Sequence, residues 1–458
     1  MNKVVFFLVL MGLVLIFGFG VSTFNSNASS NSEPPVYIPT GDTTAIFLKG
    51  TTAEFTGKNV NIIKNFTHGT IVEITGNGTY IVKGSLNRGF ISVAKKGLDV
   101  TIILNGTNIV SRNYAALTSL EKSNVTLVLA ENTTNSLSDD SKGGSANSKH
   151  YRTYNNKKHP NATLLVRGYL TIKGSGKLMV KSKLHNGIRS RASLKIEDGE
   201  IEINAEKNAI KGNNAITIYG GIFRLVSGND AIQAATTLTI NDGDFTISSG
   251  DDAIRAEDRL IINGGRINIT KCYEGLESHD IDLNGGFVKI KSSDDGINIS
   301  GGRRYGGPEA IIDGTLTITD GEYHIESEGD GMDSNGHIYM SGGNVVSFGP
   351  TDTSSTDRSI DFDRTFTVTG GSIVGIGYTT DKMKAPNPSD SSQHAFLAEI
   401  DRVPAGTLIK VSSDSGTEVL SIKALGVTRS LLVSNPLLSE GTYNISANGT
   451  IVKSFTIF

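Results

Sequence analysis

The 458-residue chain has no tryptophan and a single cysteine, Cys272. One thiol excludes an intrachain disulfide, so stability must come from packing, from bound ions or from both. A buried, inert Cys272 is the expected reading. The missing indoles exclude a tryptophan stacking platform. Charge is also scarce, with 19% charged residues and a net charge of -3, which argues against a general nucleic-acid binder, since such proteins are basic. Helical periodicity is almost absent. What remains is glycine, 53 in all, and a recurring phrase.

The phrase reads Asn186-Gly187-Ile188, Asn208-Ala209-Ile210, Asp230-Ala231-Ile232, Asp252-Ala253-Ile254, Glu274-Gly275-Leu276 and Asp295-Gly296-Ile297, at steps of 22, 22, 22, 22 and 21. Such a period marks a solenoid. Each repeat adds an apolar-x-apolar segment, such as Leu238-Thr239-Ile240 or Leu260-Ile261-Ile262, that puts both flanks on one face. Glycines at 176, 199, 221, 243, 265, 286, 321, 343 and 371 follow as corners favouring a left-handed backbone. A further alternating strand comes after each corner. Three short strands per repeat predict an all-β parallel β-helix of about 22 residues per coil. A β-propeller would need blades of about 40–50 residues, and the shorter period argues against it. The phrase's third position, from Ile188 to Met332, should form an interior ladder.

The chain organisation follows from composition. An apolar run over residues 4–23, behind one positive charge, reads as an export signal, so residues 1–24 are expected to be a cleaved signal peptide or a retained N-terminal membrane anchor. The Asn/Ser-rich residues 25–40 read as a flexible tether. Residues 41–385 would form the β-helix, with loop insertions at 136–161 and 300–313, and residues 386–458 a small C-terminal β module. The body is then expected outside the cell, as a monomer. Sequons such as Asn77-Gly78-Thr79 suggest surface glycosylation only in a host that performs it.

The first position of the phrase drifts from Asn to Asp and Glu, making one column acidic. Asp251-Asp252, Glu274, Asp294-Asp295 and Asp330 stack, with Glu277, Asn298 and Asp333 three residues further on. Strands about 4.8 Å apart force such carboxylates into mutual repulsion unless protons or a cation intervene. An exposed row would stay ionised at neutral pH, so Ca²⁺, which takes six to eight oxygen ligands, is the expected partner. With only His279 and Cys272 nearby, zinc is poorly supported. The competing reading is that Asp and Asn recur because they suit turns. Because Asp252 and Ile254 would share a face in a straight strand, a bend must lie between them or the carboxylate marks a corner.

In order along the chain, Leu104-Asn105-Gly106, Thr133-Thr134-Asn135-Ser136-Leu137-Ser138-Asp139, Leu170-Thr171-Ile172-Lys173-Gly174-Ser175-Gly176, Tyr273-Glu274-Gly275-Leu276-Glu277 and the Asp-Asp-Gly-Ile phrase at Asp294 match one pattern. The chain resembles the calcium-containing right-handed β-helix proteins of the carbohydrate-binding domain-containing family, of the Clostridium thermocellum acid-sugar and cellulose-binding type. That resemblance implies an extracellular polysaccharide binder, related in fold to pectate lyases, with calcium in the acidic coils. The chain departs from it where Ala209, Ala231 and Ala253 replace Gly, which puts the ligand geometry of those coils in question.

A calcium row suits uronates better than cellulose, because the cation can bridge protein and sugar carboxylates. Sugar stacking would fall to Tyr273, Tyr305, Tyr323 or Tyr339, and polar contacts to Lys271, Lys291 and Arg303. The expected function is non-catalytic, calcium-dependent binding of acidic polysaccharide. The runner-up is a calcium-assisted uronate lyase with a Lys or Arg base, drawn from Lys271, Lys289, Lys291 or Arg303. A third reading is a structural surface adhesin whose ions stiffen the coils.

Overall fold

The computed structural model describes residues 43–112, 114–139, 161–183, 185–300, 313–351, 355–378 and 383–458. The described residues form strands, turns and bends without a helix. They assemble into a 26-stranded, a 13-stranded and a 4-stranded sheet. The largest is two ladders joined at the long strand Asp99–Ser111, whose first half pairs with Asn124–Leu129 and whose second half pairs with Thr134–Asp139. The 13-stranded sheet is the third ladder. Parallel strands stacked in this way make a solenoid-like body.

Pairing follows the sequence repeat. In the third ladder Ile188 pairs with Ile210, Ile210 with Ile232, Ile232 with Ile254, Ile254 with Leu276, Leu276 with Ile297 and Ile297 with Met332. All seven side chains are fully buried in one continuous core. Alternation then sends the next residue outward and the one after it inward, as in the buried, half-buried, buried pattern of Ile254–Ala256.

The corners need glycine for a local reason. Gly199, Gly221, Gly243, Gly265, Gly286, Gly321, Gly343 and Gly371 all have φ between 79° and 133°. Gly176 differs: the left-handed residue in its coil is Gly174, and a Cβ on Gly176 would lie 2.2 Å from the Ala130 carbonyl oxygen.

The Gly/Ala column beside the phrase's first position faces the core. Ala209, Ala231 and Ala253 are fully buried, so their methyls fill space inside the solenoid and leave the acidic strip untouched. At the neighbouring coil the fit is tighter. A Cβ on Gly275 would sit 2.2 Å from the Gly296 carbonyl oxygen and 2.6 Å from Ile290 Cγ2. Gly275→Ala is therefore expected to destabilise the protein by about 1–3 kcal/mol through overpacking, read as a lowered urea midpoint at unchanged slope.

The ends depart from the parallel pattern. At the N-terminal end Thr43–Gly50 pairs antiparallel with Thr52–Thr56, and Val60–Asn65 with Gly69–Ile74. At the other end Ala395–Val403 and Ser372–Gly377 both flank Thr428–Ser434 antiparallel. Leu408–Ser413, Glu418–Lys423, Gly441–Ala447 and Thr450–Ile457 make the separate four-stranded sheet, with a second apolar core. Of the stretch expected to be a loop at 136–161, Ser136 to Asp139 instead belong to strand Thr134–Asp139, where buried Asn135, Leu137 and Asp139 alternate inward. Residues 1–24 and 25–40, and the insertion read at 300–313 apart from its two ends, lie outside the described residues.

Candidate functional site

The acidic column sits where the chain turns from the second ladder into the third. Strand Phe287–Ser292 ends the second side of one coil and Ile297–Ile299 begins the third, with the phrase between them. Just upstream, strand Arg266–Cys272 carries a register shift against both neighbours, so one coil turns differently before Tyr273-Glu274. The expected bend between Asp252 and Ile254 is present, because Ile254–Ala256 starts only after the turn through Asp252 and Ala253. The row is not fully wet, however. Asp230 and Asp252 are 4% and 2% exposed, and Glu274, Asp295, Asp330 and Asp333 are half-buried.

Burial changes the chemistry of the row. It pushes the Asp230 carboxyl up to about 6 and Glu274 up to about 7, with Asp251 and Glu277 respectively adding like charge. Asp295 rises to about 6 and Asp330 and Asp333 to about 7, again chiefly through burial. Asp252 is raised as well, by burial and then by Glu277.

Three groups of carboxylates bring one oxygen each within 4.8 Å of one another: Asp230, Asp251 and Asp252; Asp252, Glu274 and Glu277; and Asp330, Asp333 and Asp361. Two contain their own cation. Arg255 Nη1 lies 3.1 Å from Asp252 Oδ2 and 2.5 Å from Glu277 Oε2, while its Nε is 3.7 Å from Glu257 Oε1. At the other end Arg358 bonds Asp361 through Nη1 and Asp330 through its backbone N–H. Asp252 and Glu277 share this one guanidinium, which agrees with the raised Asp252.

Between these arginines the strip keeps two buried oxygens that its own donors do not reach. The Asn298 side chain bonds the Glu274 carboxylate, yet Glu274 Oε2 and Asn298 Oδ1 are themselves buried with no hydrogen-bond partner. Buried acceptors in this state are costly and call for a ligand or ion. The carboxylate and amide oxygens around them are hard ligands, which fit a hard cation. Cys272 is nearby, but burial, with Asp252 and Glu274, pushes its thiol up to about 12, and its Sγ donates to the Lys291 carbonyl at 3.5 Å. His279 Nδ1 lies 3.4 Å from Asp280 Oδ2.

Of the acids singled out in the sequence, Asp251, Asp252, Glu274, Glu277, Asp330 and Asp333 fall in the three groups and Asp294 and Asp295 in none, while Asn298 is in register between Glu277 and Asp333. Asp295 Oδ1 accepts the Asp330 N–H at 2.8 Å, and Asp294 is bonded by the Tyr273 hydroxyl. Tyr273, Lys271 and Lys291 are exposed. Tyr323 is not available to a sugar: it is 3% exposed, and its hydroxyl donates to the Asp320 carbonyl at 2.8 Å. Arg303 and Tyr305 lie outside the described residues. The sequence reading left Asp230, Asp361, Arg255, Glu257 and Arg358 off the site. Register makes them visible, since Arg255 pairs with Glu277, Asn298 with Asp333 and Asp333 with Asp361.

A family model described as carbohydrate-binding domain-containing protein matches residues 68–311, more than half of the chain. The chain belongs to this carbohydrate-binding family. The match spans the acidic coils up to Asp295 and stops before Asp330 and Asp361. A carbohydrate-binding domain-containing protein of Acetivibrio thermocellus is 33% identical over 123 residues, 27% of this family member and 41% of that relative. The matched stretch is thus less than half of the relative's length. A solved structure described as the polysaccharide lyase-like protein from C. thermocellum, a gadolinium derivative, aligns with 23% identity and a TM-score of 0.40, covering 65% of this chain and 96% of that one.

Proposed function

We propose that this protein is an extracellular, non-catalytic binder of acidic polysaccharide that holds Ca²⁺ in the strip running from Asp251 to Asp361. The observation that carries the reading is the run of carboxylates around Glu274 Oε2 and Asn298 Oδ1, two buried oxygens with no hydrogen-bond partner. Family membership supplies the carbohydrate. Calcium would be held by Glu274 with Asn298, and by Asp330, Asp333 and Asp361. A bound ion would also take a carboxylate from a uronate, with Tyr273 at the margin. The same reading takes the body as a right-handed parallel β-helix of about 22 residues per coil, right-handed crossovers being the strong preference for parallel strands. Export from the cell rests on the apolar residues 4–23.

The non-catalytic role rests on the family description, which names carbohydrate binding; of the candidate bases, Lys289 Nζ is engaged by Glu326 Oε1 at 3.3 Å, while Lys271 and Lys291 are exposed. Incubation with polygalacturonate and Ca²⁺ should yield no unsaturated-product absorbance; steady product formation would replace this reading with the lyase. Pull-down on pectate with and without EDTA separates the glycan binder from an adhesin, which would ignore the polysaccharide in both conditions.

The raised carboxylates also set a pH dependence. Their folded pKa values of about 6 to 7 exceed the ordinary value near 4, so their stabilising effect is complete at pH below about 4 and is lost as pH rises through 6 to 7. In chelator, Tm should fall between pH 5 and pH 8. Calcium binds the ionised forms, so its stabilising shift should be larger at pH 8 than at pH 5. Calorimetry across that range checks both signs, and a larger calcium shift at pH 5 would contradict the metal assignment.

A further inference from the structure

Along the third ladder a cluster of arginines, near its fifth and sixth strands, precedes the acidic rungs. Leu165 pairs with Arg189 and Val166 with Ser190, so Arg167 and Arg191, the residues that follow, stand on adjacent rungs. The Arg191 N–H donates to the Val166 carbonyl at 2.8 Å, which fixes that stacking. Arg189 stands outward between the buried Ile188 and Ser190, and Arg191, exposed just past the strand's end, is near enough to act on its charge. Three guanidiniums thus occupy two rungs about 4.8 Å apart.

Among the described residues no carboxylate pairs with any of the three. Arg189 Nε and Nη2 donate to Asn213 Oδ1 at 3.1 and 2.8 Å. Arg167 Nε is buried with no acceptor. Burial and mutual repulsion act together: Arg191 bears on Arg189, and Arg167 on Arg191. Like charges gathered in a partly desolvated setting are unfavourable unless an anion joins them, and the planar guanidinium fork matches a carboxylate in two-point fashion.

We propose that Arg167, Arg189 and Arg191 form an anion subsite that takes a carboxylate of an acidic polysaccharide directly, several rungs before the carboxylate groups on the same ladder. This rests on the acidic-glycan reading above and extends it. The outward column runs Arg189, Lys211, Gln233, Arg255 and Glu277 in register, so four rungs, about 19 Å, separate the arginines from the first acidic member of that column. One extended glycan along this face would meet guanidiniums at one end and a calcium-bridged contact at the other.

The test uses the full chain and the double variant R167Q/R191Q, with Arg189 kept because it holds Asn213. The variant removes mutual repulsion, so its Tm without ligand should not fall. With calcium chelated, galacturonate should raise the Tm of the native protein and not that of the variant, and with calcium present oligogalacturonate should bind the variant about tenfold or more weakly, at unchanged calcium affinity. Equal responses of the two proteins, or no response of the native protein to galacturonate or sulfate, would overturn the subsite. Protection by sulfate but not by galacturonate would overturn the carboxylate assignment in favour of a sulfate ester. If the native protein ignores oligogalacturonate in calcium while galacturonate in chelator still protects it through the arginines, the polysaccharide reading fails and the subsite stands.

Discussion

Arg255→Gln is expected to cost the chelated protein about 3 kcal/mol, and calcium is expected to return much of it. The guanidinium faces Asp252 and Glu277 at 3.1 and 2.5 Å and Glu257 at 3.7 Å, and the three acid side chains are at most 10% exposed. Removing one partner of a buried ion pair leaves the other uncompensated, at a cost of about 3–5 kcal/mol; the partly exposed arginine puts this case at the lower end. The three acids left behind are oxygen ligands suited to a divalent cation. Urea unfolding in EDTA and in Ca²⁺ reads both effects. A variant as stable as the native protein in EDTA would show that Arg255 is not the counter-ion of this group.

The second large effect belongs to the core. Ile254 is fully buried and paired with Ile232 on one side and Leu276 on the other. Ile254→Ala should cost about 2–5 kcal/mol, while Ile254→Val should cost about 0.5–1.5 kcal/mol. Each coil is stabilised through its neighbours, so the cavity weakens two interfaces at once. Equilibrium unfolding of the pair checks the ratio; an alanine variant losing no more than the valine variant would place Ile254 outside the packed ladder.

The ladder was legible in the sequence because it is periodic. Steps of 22 put one aliphatic in each coil, and pairing from Ile188 to Met332 follows that column. The bend after Asp252 was legible from parity, since a carboxylate and an isoleucine two residues apart cannot both suit one straight face. Burial of the acids was not, because depth depends on how far each turn tucks under the next coil. The counter-ions were missed for another reason. Arg358 stands where the acidic column would continue, and Arg255 lies in the column of Glu277, so a search for recurring acids passes over both. Asp294-Asp295 drew attention as a doublet, yet the spatial groups form on either side of it.

The central claim is that a cation in the acidic strip carries the glycan contact, and the most direct test is the affinity of oligogalacturonate measured by calorimetry across a titration of free Ca²⁺. Affinity should rise with calcium and saturate, and D330N/D333N should flatten the rise. Affinity independent of calcium, with the protein shown to be free of metal, would contradict it.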